Sequence, residues 1–202
     1  MALSDRVQCQ GIYIPPDIYG DAGRGTSYLR KGMGQVLRTD GVPQGDIDFY
    51  YERLGPMGIH LRGKSLVSFT LARTFNDSIT PDTLFRLDMR LRGDPELSAQ
   101  AVGSSTGDSS NYYLGKYTIE RVPAYHRAVY EEVWPYIDVH YYHASTGPRM
   151  AIVVKPGGNP ADIALRFAGQ DSMNVNWQGA LRAYMGERFI TLEQAVAYQV
   201  DP

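Results

Sequence analysis

The stretch from Trp134 to Phe167, WPYIDVHYYHASTGPRMAIVVKPGGNPADIALRF, constrains the fold more than any other. Two runs rich in β-branched and aromatic residues, Ile137–Tyr142 and Met150–Val154, flank the turn-forming Ser145-Thr146-Gly147-Pro148. That is the pattern of two antiparallel strands joined by a short loop. On a strand, Ile137, Val139 and Tyr141 face one way and Asp138, His140 and Tyr142 the other. Ala151-Ile152-Val153-Val154 is apolar throughout, as expected of a strand covered on both faces, and its short length and branched residues favour strand over helix. The prolines and glycines of Lys155–Pro160 then take the chain out of the sheet, and the alternation of Ile163–Phe167 brings it back half-buried.

The same pattern recurs on both sides of this hairpin. Ile47–Leu54 reads as a strand, and Met57–Leu61 and Leu66–Leu71 read as a hairpin around Arg62-Gly63-Lys64-Ser65. Leu84–Leu91 places Phe85, Leu87, Met89 and Leu91 on one face and Leu84, Arg86, Asp88 and Arg90 on the other. A slip of one residue there would turn three charges into the core, which fixes the register. Gly93–Ser110, short of large apolar residues, is the expected mobile loop. Strands follow at Asn111–Gly115 and Val122–Tyr130 and, near the end of the chain, at Met173–Trp177, Ala180–Met185, Arg188–Leu192 and Ala195–Val200, with turns at Gln178-Gly179 and Gly186-Glu187. Only Tyr130–Trp134 and Thr191–Ala197 carry enough helix formers for a turn or two of helix. The predicted fold is mainly β, an antiparallel β-sandwich or open barrel built of meandering hairpins. Residues 1–30 form an extended, irregular N-terminal arm and residues 31–202 the β-sandwich domain.

A chain of 202 residues can build one sizeable core. A net charge of −2 and a pI near 6.1 give no general affinity for nucleic acid or anionic membranes. The short basic patch of Arg24, Arg30 and Lys31 reads as a solvated loop. Cys9 has no partner in the chain, so stability must come from packing, as in a reducing compartment or a disulfide-free secreted protein. No apolar run approaches the roughly 20 residues that span a bilayer, so no membrane insertion is expected. Met1–Arg6 lacks the apolar stretch of a secretory signal: either the chain is not exported by that route or its signal has been removed. Fifteen tyrosines against six phenylalanines suit sheets with half-wet faces and protein interfaces.

The chemistry-bearing residues do not form a recognisable pattern, and no catalytic residue, cofactor or metal is expected. His140 and His143 have a tempting spacing, but on a strand positions three apart face opposite sides, and no Cys or Glu cluster completes a ligand set. Asp138 reads as an acceptor of hydrogen bonds from a neighbouring turn. Glu131-Glu132 and Asp46/Asp48 would need to converge to act as a glycosidase pair, and solvated charge is their ordinary role. Ser104, Ser105, Ser109 and Ser110 lack a nucleophile elbow, and Gly20-x-x-Gly23-x-Gly25 lacks the strand-to-helix setting of a phosphate loop. Trp134 and Trp177 are expected to pack in the core, with stacking on sugar rings as the other use of such side chains. The residues proposed for contact with a ligand or partner are Trp177, Tyr141 and Tyr142.

From about Gly34-Gln35 onward the order of motifs resembles a known family. The likeness is carried by Asn111-Tyr112-Tyr113-Leu114-Gly115, Val122-Pro123-Ala124-Tyr125, Val133–Tyr142, Lys155–Pro160, Ile163–Gly169 and Ala197-Tyr198-Gln199. The family is a bacterial β-rich domain of unknown function found near the N-terminus of large surface or secreted proteins, ahead of SBBP-type β-propeller repeats or a gliding-motility sorting tail. Its members usually begin with an export signal and continue past the Tyr-Gln pair into further strands, which this sequence does not. The resemblance implies an extracellular or cell-surface location. It also implies a non-enzymatic structural or interaction module, a subunit or adaptor that works through a protein partner or self-association. The other function open to such a chain is a carbohydrate-binding module using exposed tryptophan and tyrosine.

Overall fold

The computed structural model describes residues 28–38, 40–51, 57–73, 83–144 and 147–197. The strands are β1 (Leu29–Lys31), β2 (Ile47–Tyr51), β3 (Met57–Arg62), β4 (Leu66–Arg73), β5 (Thr83–Leu91), β6 (Gln100–Ala101), β7 (Ser109–Leu114), β8 (Tyr117–Tyr125), β9 (Arg127–Trp134), β10 (Ile137–Ala144), β11 (Gly147–Val154), β12 (Leu165–Ala168), β13 (Ser172–Val175), β14 (Leu181–Met185) and β15 (Arg188–Leu192). Pro160–Asp162 forms one turn of 3-10 helix, capped by Asn159, and there is no α-helix among the described residues. The strands make an eight-stranded sheet in the order β12-β5-β4-β3-β2-β1-β8-β7, a four-stranded sheet β11-β10-β9-β6 and a three-stranded sheet β13-β14-β15. Every pairing is antiparallel and none of the sheets closes into a barrel, so the open-sandwich form of the predicted fold is the one adopted.

Alternation explains how these sheets share one core. Leu29, Phe49, Tyr51, Leu61, Val67, Leu87 and Met89 from the large sheet meet Ala128, Tyr130, Ile137, Val139 and Tyr141 from the four-stranded sheet. Ala183, Met185 and Ile190 of the three-stranded sheet join the same cluster. β5 reads as its sequence does: Leu87, Met89 and Leu91 are buried while Leu84 is exposed on the opposite face. The hairpin of β10 and β11 pairs in the register Ile137↔Val154 through Ala144↔Gly147. The apolar run in β11 is half-buried at Ala151–Val153 rather than covered on both sides, because β11 is an edge strand of its sheet.

Tyr130 joins the two larger sheets. Its ring is fully buried, and its hydroxyl donates to the Arg62 carbonyl at 2.7 Å with the Leu66 carbonyl at 3.1 Å. Those carbonyls flank the β3–β4 turn, where Lys64 and Ser65 take φ of 65° and 53°. A second tyrosine, Tyr51, reaches from β2 to the Tyr142 carbonyl at 2.8 Å. Each phenol spans the core with an apolar ring and satisfies a backbone acceptor at the far side.

Several expectations are corrected. Tyr130–Trp134 is part of β9, not a helical turn, because burial of Tyr130, Val133 and Trp134 overrides the helix formers between them. Residues 193–197 are irregular and include no strand, where both a helical turn and a strand beginning at Ala195 were expected; residues 198–200 lie outside the described residues. Leu29 and Arg30, counted with the arm, pair with β2 and β8 inside the large sheet, so the boundary at residue 30 cuts through β1. Residues 1–27 of the arm, with the glycine pattern from Gly20 to Gly25, and residues 52–54 lie outside the described residues. Arg30 is not part of a solvated basic loop: its side chain is buried, donating to Asp108 Oδ2 at 2.6 Å and to the Val122 carbonyl at 3.3 Å.

The Gly93–Ser110 segment is a stitched seam instead of a free loop. Asp94 N–H donates to Val133 O, Leu97 O accepts from Ser65 N–H, Val102 N–H donates to Arg127 O and Thr106 N–H to Ala124 O. Ala99 N–H reaches the Asp48 carboxylate at 2.8 Å. Gly93 is required where the seam crosses β9, since a Cβ there would sit 1.6 Å from the Val133 carbonyl oxygen.

Tyr130→Phe keeps the ring and leaves the Arg62 carbonyl without its hydroxyl donor inside the core. A loss of about 1–3 kcal/mol in urea unfolding is expected, with an unchanged slope against denaturant.

Candidate functional site

Asp138 is a structural acceptor on the outer face of β10. Only 6% exposed, it accepts the Glu132 N–H at 2.9 Å and the Lys155 ammonium at 2.8 Å. Glu132 takes φ 48°, and the β9–β10 register shifts between Ile137 and Val139, so the carboxylate pins a bulge. The hydrogen bond to Asp138 is the main reason the Lys155 pKa lies above its ordinary value.

His140 and His143 diverge as their spacing predicts. His140 lies on the outer face, its Nε2 3.9 Å from Asp138, too far for a hydrogen bond, whereas the His143 ring lies 6.3 Å from Tyr51 on the core side. Among the described residues no three His, Cys, Asp or Glu side chains are grouped to hold a metal ion.

Topology also assembles a row that sequence reading missed. His60, Ser68 and Asp88 stand in register across β3, β4 and β5 on the outer face of the large sheet. Ser68 Oγ bonds Asp88 Oδ1 at 2.6 Å, and Arg86 clamps both at 2.8 and 3.2 Å. The residue types are those of a hydrolase triad but the order is not, since the imidazole of a triad sits between hydroxyl and carboxylate. Ser68 here is fully buried with its hydroxyl on the carboxylate, so it is not a free nucleophile. No spacing rule could have found the row, because its members come from three strands.

Asp46 and Asp48 each have a hydrogen-bond partner of their own. Asp46 binds Arg62 at 2.6 Å, and Asp48 holds the seam through Ala99, its pKa raised chiefly by burial. Glu132 and Asp94 line an open depression of about 510 Å³ with Trp134 and Tyr136.

Trp134 is a core residue at 4% exposure, as expected, but Trp177 is 91% exposed, contrary to the core role read from the sequence. It sits in the β13–β14 turn, where Asn176 Oδ1 accepts the N–H groups of Gln178 and Ala180 and Gly179 takes φ 79°. The indole therefore stands in solvent at the tip of this turn. Tyr141 faces the core, edge-on to Tyr130 at 6.1 Å, its hydroxyl on Met150 Sδ at 3.2 Å, and offers no surface for a ligand. Tyr142 is half-buried on the opposite face of β10, in register with Arg127 and Arg149. The three proposed contact residues therefore do not form one platform.

Other residues gather around Trp177. Val175, the last residue of β13, is 66% exposed, and Val196 is 67% exposed. Gln194 packs on Gly179, so the segment after β15 runs beside the Trp177 turn. Arg149 Nη1 binds Glu193 Oε2 at 2.7 Å and ties this end of the small sheet to the β10–β11 hairpin. Val175 and Trp177 thus reach solvent within two residues of each other, and the segment that carries Val196 passes the same turn at Gln194.

Burial pushes the imidazoles of His60 and His140 down to about 4 in each case, with Arg62 and Arg127 respectively adding to the effect. The unfolded chain takes up these protons near pH 6.5 and the folded chain only near 4, so stability is full above 6.5 and falls as pH drops through that window. The expected loss is on the order of 2 kcal/mol per histidine between pH 7 and 4.5. Urea unfolding of His60→Gln and His140→Gln across this range should show a shallower pH dependence in each variant.

A family model described as a domain of unknown function (DUF7948) matches residues 41–202. No curated protein and no solved structure matches the chain. The matched region takes in β2 to β15, that is, the four- and three-stranded sheets and the eight-stranded sheet apart from β1. With most of its length covered by that family model, the chain belongs to the DUF7948 family of domains of unknown function.

Proposed function

We propose that this domain is a non-enzymatic module that works through protein contact, as a subunit or adaptor of a bacterial surface or secreted assembly. The observation that supports this reading is the solvent-exposed Trp177 in the turn that follows the edge strand β13, with Val175 exposed at the end of that strand. Among the described residues β13 pairs only with β14, so its other side is a sheet edge with no strand partner among them. An extended segment of a partner adds to that edge by main-chain hydrogen bonds, and Trp177 supplies the large anchoring ring that gives such a contact most of its energy. The tyrosine-rich composition fits the same use.

The second reading is carbohydrate binding through exposed aromatic rings. It is favoured by the 91% exposure of Trp177.

Trp177→Ala separates surface use from folding. An exposed turn residue should change unfolding free energy by no more than about 0.5 kcal/mol. Self-association in light scattering at high concentration, or partner capture from extracts of the source cells, should be lost in the variant. A wild-type chain that stays monomeric and captures nothing sensitive to Trp177 overturns the reading.

A further inference from the structure

The outer face of the three-stranded sheet carries a second aromatic surface, distinct from Trp177. Strand alternation sends Met173, Ala183, Met185 and Ile190 to the core, and the cross-strand registers place the remaining side chains in two outward rows. One row is Ser172, Tyr184, Phe189; the other is Asn174, Arg182, Thr191. Neighbours within a row are separated by the spacing of adjacent strands, about 4.8 Å.

These side chains are organised rather than scattered. The Tyr184 and Phe189 rings lie 5.7 Å apart with a 49° tilt, and Phe189 is 48% exposed. The Arg182 guanidinium lies over the Phe189 ring, 5.2 Å from its centroid. Asn174 Nδ2 donates to the Tyr184 hydroxyl at 3.5 Å, and this contact, with Arg182 beside it, holds the phenol's pKa below the ordinary value. Arg182 Nε is buried and has no hydrogen-bond partner among the described residues, so any ligand must be met by the terminal nitrogens of the guanidinium. The two rows hold one cation and no carboxylate.

That combination matches one ligand chemistry. An aromatic ring takes the apolar C–H face of a pyranose, hydroxyl and amide groups take its hydroxyls, and a fixed guanidinium takes a carboxylate. We propose that the outer face of the β13–β14–β15 sheet binds an acidic saccharide, with Phe189 and Tyr184 under a hexuronate ring, Arg182 on its carboxylate and Asn174 on a hydroxyl. The inference deepens the second reading of function by naming a substrate class and a face. It stands apart from protein contact at Trp177.

Isothermal titration of the full chain with a hexuronate oligosaccharide, its carboxyl-reduced counterpart and a neutral gluco-oligosaccharide tests it. Saturable binding of the uronate is expected, weakened about tenfold or more by carboxyl reduction and by Arg182→Gln. Phe189→Ala should weaken it comparably, and Phe189→Tyr, which keeps the ring if the alanine variant folds poorly, should bind as the wild type does. Trp177→Ala should leave uronate affinity unchanged whatever it does to protein association, so the two proposals fail independently. No saturable uronate binding, equal affinity for the reduced saccharide, or full affinity in Arg182→Gln would overturn the inference.

Discussion

Tyr130 stands where the two larger sheets meet, and its single hydroxyl closes the contact between them. A phenylalanine would fill the same volume, but the Arg62 and Leu66 carbonyls at the β3–β4 turn would then face apolar surroundings. The turn needs those carbonyls where they are because Lys64 and Ser65 are held in the left-handed region and Ser65 bonds on to Leu97 and Leu91. The seam from Gly93 to Thr106 leans on the same turn and on β9, so one buried phenol sits at the junction of the large sheet, the four-stranded sheet and the segment that crosses between them.

Abundant tyrosine makes sense in this setting. Tyr51, Tyr130 and Tyr141 bury their rings in the core and spend their hydroxyls on two backbone carbonyls and a methionine sulfur, while Tyr184 faces outward and Tyr142 is half-buried on the outer side of β10. The same residue type therefore serves as internal strut and as surface. Which role each takes depends on strand face and position, not on local composition.

The outer faces differ in kind. On the large sheet Ser68, Asp88 and Arg86 satisfy one another, and on β10 Asp138 is consumed by Glu132 and Lys155. At the C-terminal sheet, Phe189 and Trp177 reach solvent. Polar groups that satisfy one another stabilise the fold; aromatic rings left open at a surface are what a ligand or partner can use.

Much of the fold was legible in the chain. The period-two alternation of β5 and β10, the turn residues between β10 and β11, and the glycine turns before and after β14 identify strands, faces and registers, because those are local properties of side-chain sequence. The likeness carried by the Asn111–Gly115 and Val133–Tyr142 motifs pointed to a domain of unknown function, and the family match bears out that much. What tertiary structure alone decided was non-local. It turned the small-residue segment after Gly93 into a hydrogen-bonded seam, since backbone groups find partners that side-chain patterns do not reveal. It drew Arg30 into the sheet, left Trp177 in solvent, and brought His60 beside Ser68 and Arg182 over Phe189 by strand pairing between residues distant or unpatterned in sequence. Alternation says which way a side chain points, but only the packing of sheets says whether anything is there to meet it.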